Sequence, residues 1–252
     1  MLSIDLTGRL ALVTGGSGEL GRAIVRRLAE AGADVAIHYH RNAEQAAKLE
    51  TELKGMGRRA GAVQADVTQL ESVMAMRDRI GSTLGEPDII VNNSVIQYKW
   101  THVLDQAPED YEGQFRSCVL QNVFMAKAFV PAMIRRKRGR VIAINTECAM
   151  MNVANQSAYV SGKRGMDGVL RVLAREVGEH GITVNQVAPG WTATENRPDS
   201  EIHEAYRQKV ALRRRGTDRD IADAVVFLAS DLAGFITGVY LPVCGGNVMP
   251  AI

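Results

Sequence analysis

Cysteine is scarce in this chain. Only Cys118, Cys148 and Cys244 occur in 252 residues, an odd number at wide spacing with no C-x-x-C pair. That excludes a disulfide scaffold and a thiolate metal knuckle, and it suits reduced thiols in the cytoplasm. The five histidines, at 38, 40, 102, 180 and 203, lack metal-ligand spacing, so no metal is expected. Charge of one sign is missing too: 30 Lys and Arg against 28 Asp and Glu leave a net +2. That balance points to neither nucleic acid nor a membrane as partner. Two basic runs, Arg135-Arg136-Lys137-Arg138 with Arg140 and Arg213-Arg214-Arg215, have no interleaved aromatics and read as solvated helix ends. No apolar stretch reaches transmembrane length, and Asp5 and Arg9 precede the first apolar run, unlike a signal peptide. No Pro/Ser-rich linker, repeat or low-complexity segment interrupts the chain, which reads as one domain over residues 1–252.

What is present is alternation. Apolar runs at 10–14, 34–39, 61–65, 88–92, 140–145, 183–188 and 239–243 read as strands. Helix-period segments near 19–31, 43–56, 69–84, 108–136, 155–179 and 218–230 lie between them. Continuous apolar strands separated by helices imply an α/β fold: a single doubly wound Rossmann domain on a seven-stranded parallel sheet. The stretch from Gly190 to Asn196, with the polar residues after it, is irregular and reads as a mobile lid.

Two clusters carry chemistry. The loop Gly15-Gly16-Ser17-Gly18-Glu19-Leu20-Gly21 follows the first strand and opens the first helix, the setting in which G-x-G-x-x-G binds a dinucleotide. Its glycines let the backbone approach a pyrophosphate, and the helix N-terminus supplies amides and dipole. After the second strand, His38-Tyr39-His40-Arg41 lacks the acidic residue that an NAD ribose wants. Arg41, with His40, can meet a 2′-phosphate instead, which points to NADP (NADPH); the plainer reading is a surface charge at a helix start. His38 and His40 suit a surface or the cofactor's edge. Asp66-Val67 can set a carboxylate by the adenine, or Asp66 can cap the next helix.

The second cluster is Tyr159 and Lys163, four apart on one helix face. An ammonium beside a phenol lowers its pKa, so such a tyrosine exchanges protons near neutral pH. Thr146, a hydroxyl residue, ends the apolar run before them. Together with the loop these residues describe hydride transfer to or from a carbonyl.

The ordered motifs resemble the short-chain dehydrogenase/reductase family, and within it the 3-oxoacyl-carrier-protein reductase type. The matching pieces span nearly the whole chain: Gly8 to Gly15, Ala65-Asp66-Val67-Thr68, Val91-Asn92-Asn93, Tyr159/Lys163, Ile182 to Asn185, Pro189 to Thr194, and Gly245-Gly246. The resemblance implies that Tyr159 is the general acid and that Lys163 binds the nicotinamide ribose. It implies that Pro189, Val187 and Thr194 lie by the nicotinamide, Thr194 holding its carboxamide, and that Asn92 sits behind the cofactor. Four positions depart from the family's pattern. Thr146 replaces Ser, and its extra methyl crowds the site. Glu19 replaces a loop glycine, and a carboxylate there repels a pyrophosphate unless it points away. Val95 fills space beside the cofactor. Val119 falls where an Asn anchors a relay water, and Asn122 substitutes only in another helix register.

Gln97, Tyr98, Trp100, His102, Met150, Met151 and Trp191 are the substrate-side candidates, outlining an apolar pocket for a small-molecule carbonyl compound. The reading is an NADPH-dependent carbonyl reductase; the alternative is a dinucleotide-binding sensor or partner subunit with little turnover. The resemblance implies a homotetramer, built from the helices at 108–136 and 155–179 and from the last strand. Glycine mixed with apolar residues over 165–173 and an apolar C-terminus at 248–252 support it.

Overall fold

Alternate residues of each central strand face opposite ways, and here each side meets its own core. Ala11, Val13, Val35, Ile37, Ile89, Val91, Ile142 and Ile144 face one core, while Leu10, Leu12, Ala36, Ile90, Val141 and Ala143 face the other. In this computed structural model, which describes residues 4–200 and 203–250, the strands are Leu10–Val13 (β1), Asp34–Tyr39 (β2), Ala60–Gln64 (β3), Ile89–Asn92 (β4), Gly139–Ile144 (β5), Ile182–Pro189 (β6) and Tyr240–Val243 (β7). They pair in parallel in the order β3-β2-β1-β4-β5-β6-β7. The chain order therefore reverses between β1 and β4, and loops on either side of that point diverge to open a crevice.

Helices Glu19–Glu30 (α1), Ala43–Gly55 (α2) and Asp218–Ala229 (α9) lie on the first face. Leu70–Thr83 (α3), Gln121–Arg136 (α5) and Ser157–Val177 (α7) cover the second. Pro108–Gln114 (α4) runs into α5 through one π-helical segment, Phe115–Leu120. This Pro108–Arg136 rod is long and apolar enough by composition to cross a membrane, which the sequence reading did not expect. More than half of its most apolar stretch is buried inside the fold, as in a core helix. Two short helices, Cys148–Met151 (α6) and Glu204–Lys209 (α8), fall where the sequence showed only loop.

Several charges read as solvated are engaged. Arg135 and Arg136 pair with Glu86 at 2.8 and 2.7 Å, and Arg138 pairs with Asp88 at 2.7 Å. Arg140 is buried and reaches Asp231 at 3.3 Å. The sheet's outer strands are each blocked at one position. On β3, the Ala62 N–H donates to Glu50 of α2 at 2.8 Å, and β7 carries Pro242.

Candidate active site

Every candidate catalytic or cofactor residue ends or follows a strand or lies on α1 or α7. The glycine loop leaves β1 with Gly15 at φ +63°, a conformation that favours glycine. A Cβ on Gly21 would lie 2.0 Å from the Gly15 oxygen, so only glycine lets α1 start this close to the loop. Ser17 is buried, and Leu20 packs half-buried on the first core. The first-turn amides of Glu19, Leu20 and Gly21 precede any carbonyl partner within the helix.

Of the two places expected for His38, the surface is excluded, and the ring sits against the glycine loop. It is buried between the loop and the end of β3. Its Nδ1 accepts the Gly15 N–H at 2.9 Å, so Nε2 carries the hydrogen and donates to the Ala65 oxygen at 3.1 Å. Desolvation lowers its pKa to about 4. One neutral imidazole thus ties the glycine loop to the Asp66-Val67 corner. Asp66 accepts both the N–H and the hydroxyl of Thr68, at 2.9 and 2.7 Å, while Gln69 stands at the N-cap of α3. Val67 is buried in the second core. Arg41 is exposed and has no acidic partner among the described residues.

Glu19 turns toward the 190–197 segment. Its carboxylate accepts the Thr194 hydroxyl at 2.5 Å and the Asn196 amide at 3.4 Å. Arg22, one turn on, pairs with Glu195 at 2.7 Å. The segment is irregular, as expected, but anchored. Ala193 N–H donates to Gly216 O at 2.8 Å, and the buried Arg215 donates to the Trp191 and Thr192 carbonyls at 3.0 and 2.7 Å. Arg215 is therefore a clamp and not a solvated helix end.

At the mouth of β5 and β6 lies the tyrosine cluster. Asn145, which sequence reading missed, accepts the Thr146 N–H at 2.9 Å and donates to Gln186 at 2.6 Å and Lys163 O at 3.3 Å. The Cys148 N–H donates to Thr146 Oγ1 at 3.2 Å. Lys163 is buried, its Nζ 2.6 Å from the Ile144 oxygen and 5.7 Å from the centre of the Tyr159 ring. The expected lowering of the Tyr159 pKa is not what this geometry gives. Burial pushes the phenol up, with the Thr146 hydroxyl opposing, and the ammonium is directed to a carbonyl and not to the phenol oxygen. Burial in turn lowers Lys163.

Asn92 donates to Asn122 at 2.7 Å, and its own Oδ1 is buried without a partner. Asn122 donates to Cys118 O at 2.6 Å and is thereby committed to the β4 side of the rod. Val119 faces α7, with its Cγ2 2.9 Å from where a Cβ on Gly165 would stand. Val95 packs against the second core.

A cavity of about 470 Å³ opens over these residues. Thr146 and Tyr159 share its wall with Gln97, Tyr98, Trp100, Met151 and Trp191. His102 and Met150 do not line it. Glu147, Gln156 and Tyr206 do, and no sequence pattern marked them. Tyr206 comes from the unforeseen α8; its hydroxyl accepts the Trp191 N–H at 2.9 Å and donates to the buried Glu147 at 3.0 Å. Burial pushes Glu147 up despite that bond.

The profile of the family described as Enoyl-(Acyl carrier protein) reductase matches residues 17–247. The chain is 37% identical over 251 residues to the 3-oxoacyl-[acyl-carrier-protein] reductase FabG of Pseudomonas aeruginosa, covering 98% of this chain and 100% of that one. It is 34% identical to FabG of Staphylococcus epidermidis, covering 95% and 98%. Among solved structures, a blue fluorescent protein from a metagenomic library in complex with NADPH superposes with TM-score 0.89 at 35% identity, covering 97% of this chain and 100% of that one. A short-chain dehydrogenase from Burkholderia cenocepacia in complex with NADP gives TM-score 0.87 at 34% identity, covering 96% and 98%. With this sheet order, this loop and this tyrosine–lysine pair, the chain belongs to the short-chain dehydrogenase/reductase family and is an oxidoreductase similar to the 3-oxoacyl-[acyl-carrier-protein] reductases.

Proposed function

We propose that the protein reduces a carbonyl compound, a ketone or 3-oxoacyl-like substrate, to an alcohol with NADPH. One observation carries the reading: Thr146 and Tyr159 share the wall of one cavity, with Lys163 behind the tyrosine ring. The chain fits a dinucleotide. Only glycine fits at position 21, first-turn amides of α1 stand free of helical partners, and the buried Asn92 Oδ1 awaits a donor. Gly15, Ser17, Gly18 and Leu20 would hold the pyrophosphate, and Asp66, Val67, Asn92, Pro189 and Thr194 would line the rest. Arg41 would meet the 2′-phosphate. Bound NADPH supplies the hydride.

The residues supply oxygen recognition and protons. Thr146 Oγ1 accepts from the Cys148 N–H, which leaves its own hydrogen for the carbonyl oxygen. Tyr159, pushed up by burial, stays protonated at neutral pH and acts as acid toward that oxygen. Lys163, lowered by burial, can return the proton and hold the nicotinamide ribose. Two hydroxyl donors beside each other suit a carbonyl oxygen better than an alkene carbon.

A homotetramer in the cytoplasm completes the reading. Phe115 and Val172 leave apolar area exposed on the 108–136 rod and on α7, and Phe235 does so near β7. Gly165 packs on Val119 within its own subunit and lends no support; Gly168 faces open space. Of the C-terminal segment, Met249 is exposed, and Ala251 and Ile252 lie outside the described residues. Three free thiols suit a reducing compartment.

The test is turnover of purified protein with NADPH, or NADH, and a panel of neutral β-ketoesters and ketones. Reduction to the hydroxy ester, faster with NADPH, is expected. Tight cofactor binding without turnover of any carbonyl would overturn it.

A further inference from the structure

The glycine loop carries its own anion. Glu19 occupies the first turn of α1, the place where a helix best stabilises negative charge. Its carboxylate crosses to the 190–197 segment and accepts the Thr194 hydroxyl at 2.5 Å, with Asn196 at 3.4 Å and Arg197 at 3.9 Å beside it. The bridge is doubled by Arg22 on α1, which meets Glu195 at 2.7 Å, with Arg26 at 3.6 Å. Both contacts join the head of α1, where the glycine loop would hold a pyrophosphate, to one segment. The Thr194 hydroxyl also holds the Glu19 carboxyl below the usual carboxylate range, so the group is charged at neutral pH.

We propose that Glu19 is a built-in competitor for the dinucleotide: its carboxylate latches Thr194 to the head of α1, and the cofactor binds only by displacing that contact. This rests on the dinucleotide reading above. Two costs follow for an entering dinucleotide. Its phosphates approach a fixed negative charge, and Thr194 must give up a charge-assisted hydrogen bond, the stronger kind. Glu19 thus tunes cofactor affinity downward, while the Arg41 end of the site is untouched.

The experiment is titration of NADPH by fluorescence against wild type, Glu19→Gln and Glu19→Ala, with 2′-AMP as a ligand for the Arg41 end alone. Glu19→Gln keeps an acceptor for Thr194 but removes the charge. It is expected to tighten NADPH about threefold to tenfold, and Glu19→Ala about tenfold or more, as loss of a charge-assisted bond implies. The gap should narrow as salt is raised, because half-exposed charges are screened. Binding of 2′-AMP should not change. Limited proteolysis supplies a second readout: cleavage within residues 190–199 should quicken in Glu19→Ala and slow on adding NADPH. NADPH binding that is equal or weaker in both variants overturns the competitor role, weaker binding meaning that Glu19 positions Thr194 for the cofactor. If NADPH binds to neither wild type nor variants while the fold persists by circular dichroism, the dinucleotide reading falls with it.

Discussion

At the scale of single residues, two titrating side chains make opposed demands. In the proposed reaction Tyr159 gives up a proton, and burial, which raises its pKa, keeps the phenol protonated until it does. Tyr159→Phe should lower carbonyl reduction by about 10²–10⁴, the usual contribution of a general acid, while NADPH binding stays nearly intact. Stopped-flow reduction with a β-ketoester measures the first and fluorescence titration the second; near-wild-type turnover would remove Tyr159 from the role. His38 must not gain a proton, because its Nδ1 is the acceptor for Gly15. Its pKa falls from 6.5 to about 4 on folding, so the unfolded chain binds more protons between those values. This contribution is whole above about pH 6.5 and is lost as pH falls toward 4, a change of about 3 kcal/mol by linkage. His38→Gln should be less stable at pH 7 but flatter over pH 4–6.5 in urea unfolding. An unchanged slope would mean that His38 titrates normally.

Legibility at this scale divided by cause. The placement of Gly15, Gly21, Thr146, Tyr159 and Lys163 was readable because it follows from motifs set by spacing along the chain. Asn145, Glu147 and Tyr206 were not, since each is defined by a partner far along the chain, such as Tyr206 on Glu147. His38 was readable as a strand residue, but its inward ring depends on the Gly15 amide and the Ala65 carbonyl meeting around it.

At the scale of elements, the strands and six long helices were legible within a residue or two, because apolar periodicity and a parallel sheet agree. α6 and α8 were hidden: at four and six residues, neither spans two turns, too few for a periodic pattern to repeat. The π-helical segment is the informative exception. It inserts an extra residue into the Pro108–Arg136 rod and sends Asn122 toward Asn92 while Val119 faces α7. Asn122 therefore does not stand in for an amide at position 119. Val119→Asn should leave turnover unchanged or higher, at a stability cost of about 1–3 kcal/mol for burying an amide. Chemical denaturation and steady-state rates check both; a folded variant at least tenfold slower would show that Val119 itself supports the site.

At the scale of the whole molecule, apolar residues are exposed on the rod, on α7 and on the β7 side. Two isologous contacts made from different surfaces close into a tetramer with D₂ symmetry. Light scattering at micromolar protein should give about four times the 27.4 kDa of one chain. A monomer mass would defeat the prediction, and a dimer mass would leave one contact standing.

The outer strands, each blocked at one position, bear on what such copies can do to each other. A parallel sheet with bare margins is a template that any neighbour can extend, and extension has no natural end. Here Glu50 occupies an amide of β3 and Pro242 withholds one from β7, so each outer strand offers a neighbouring copy one donor fewer. Each such position makes the sheet a poorer template for a neighbouring copy.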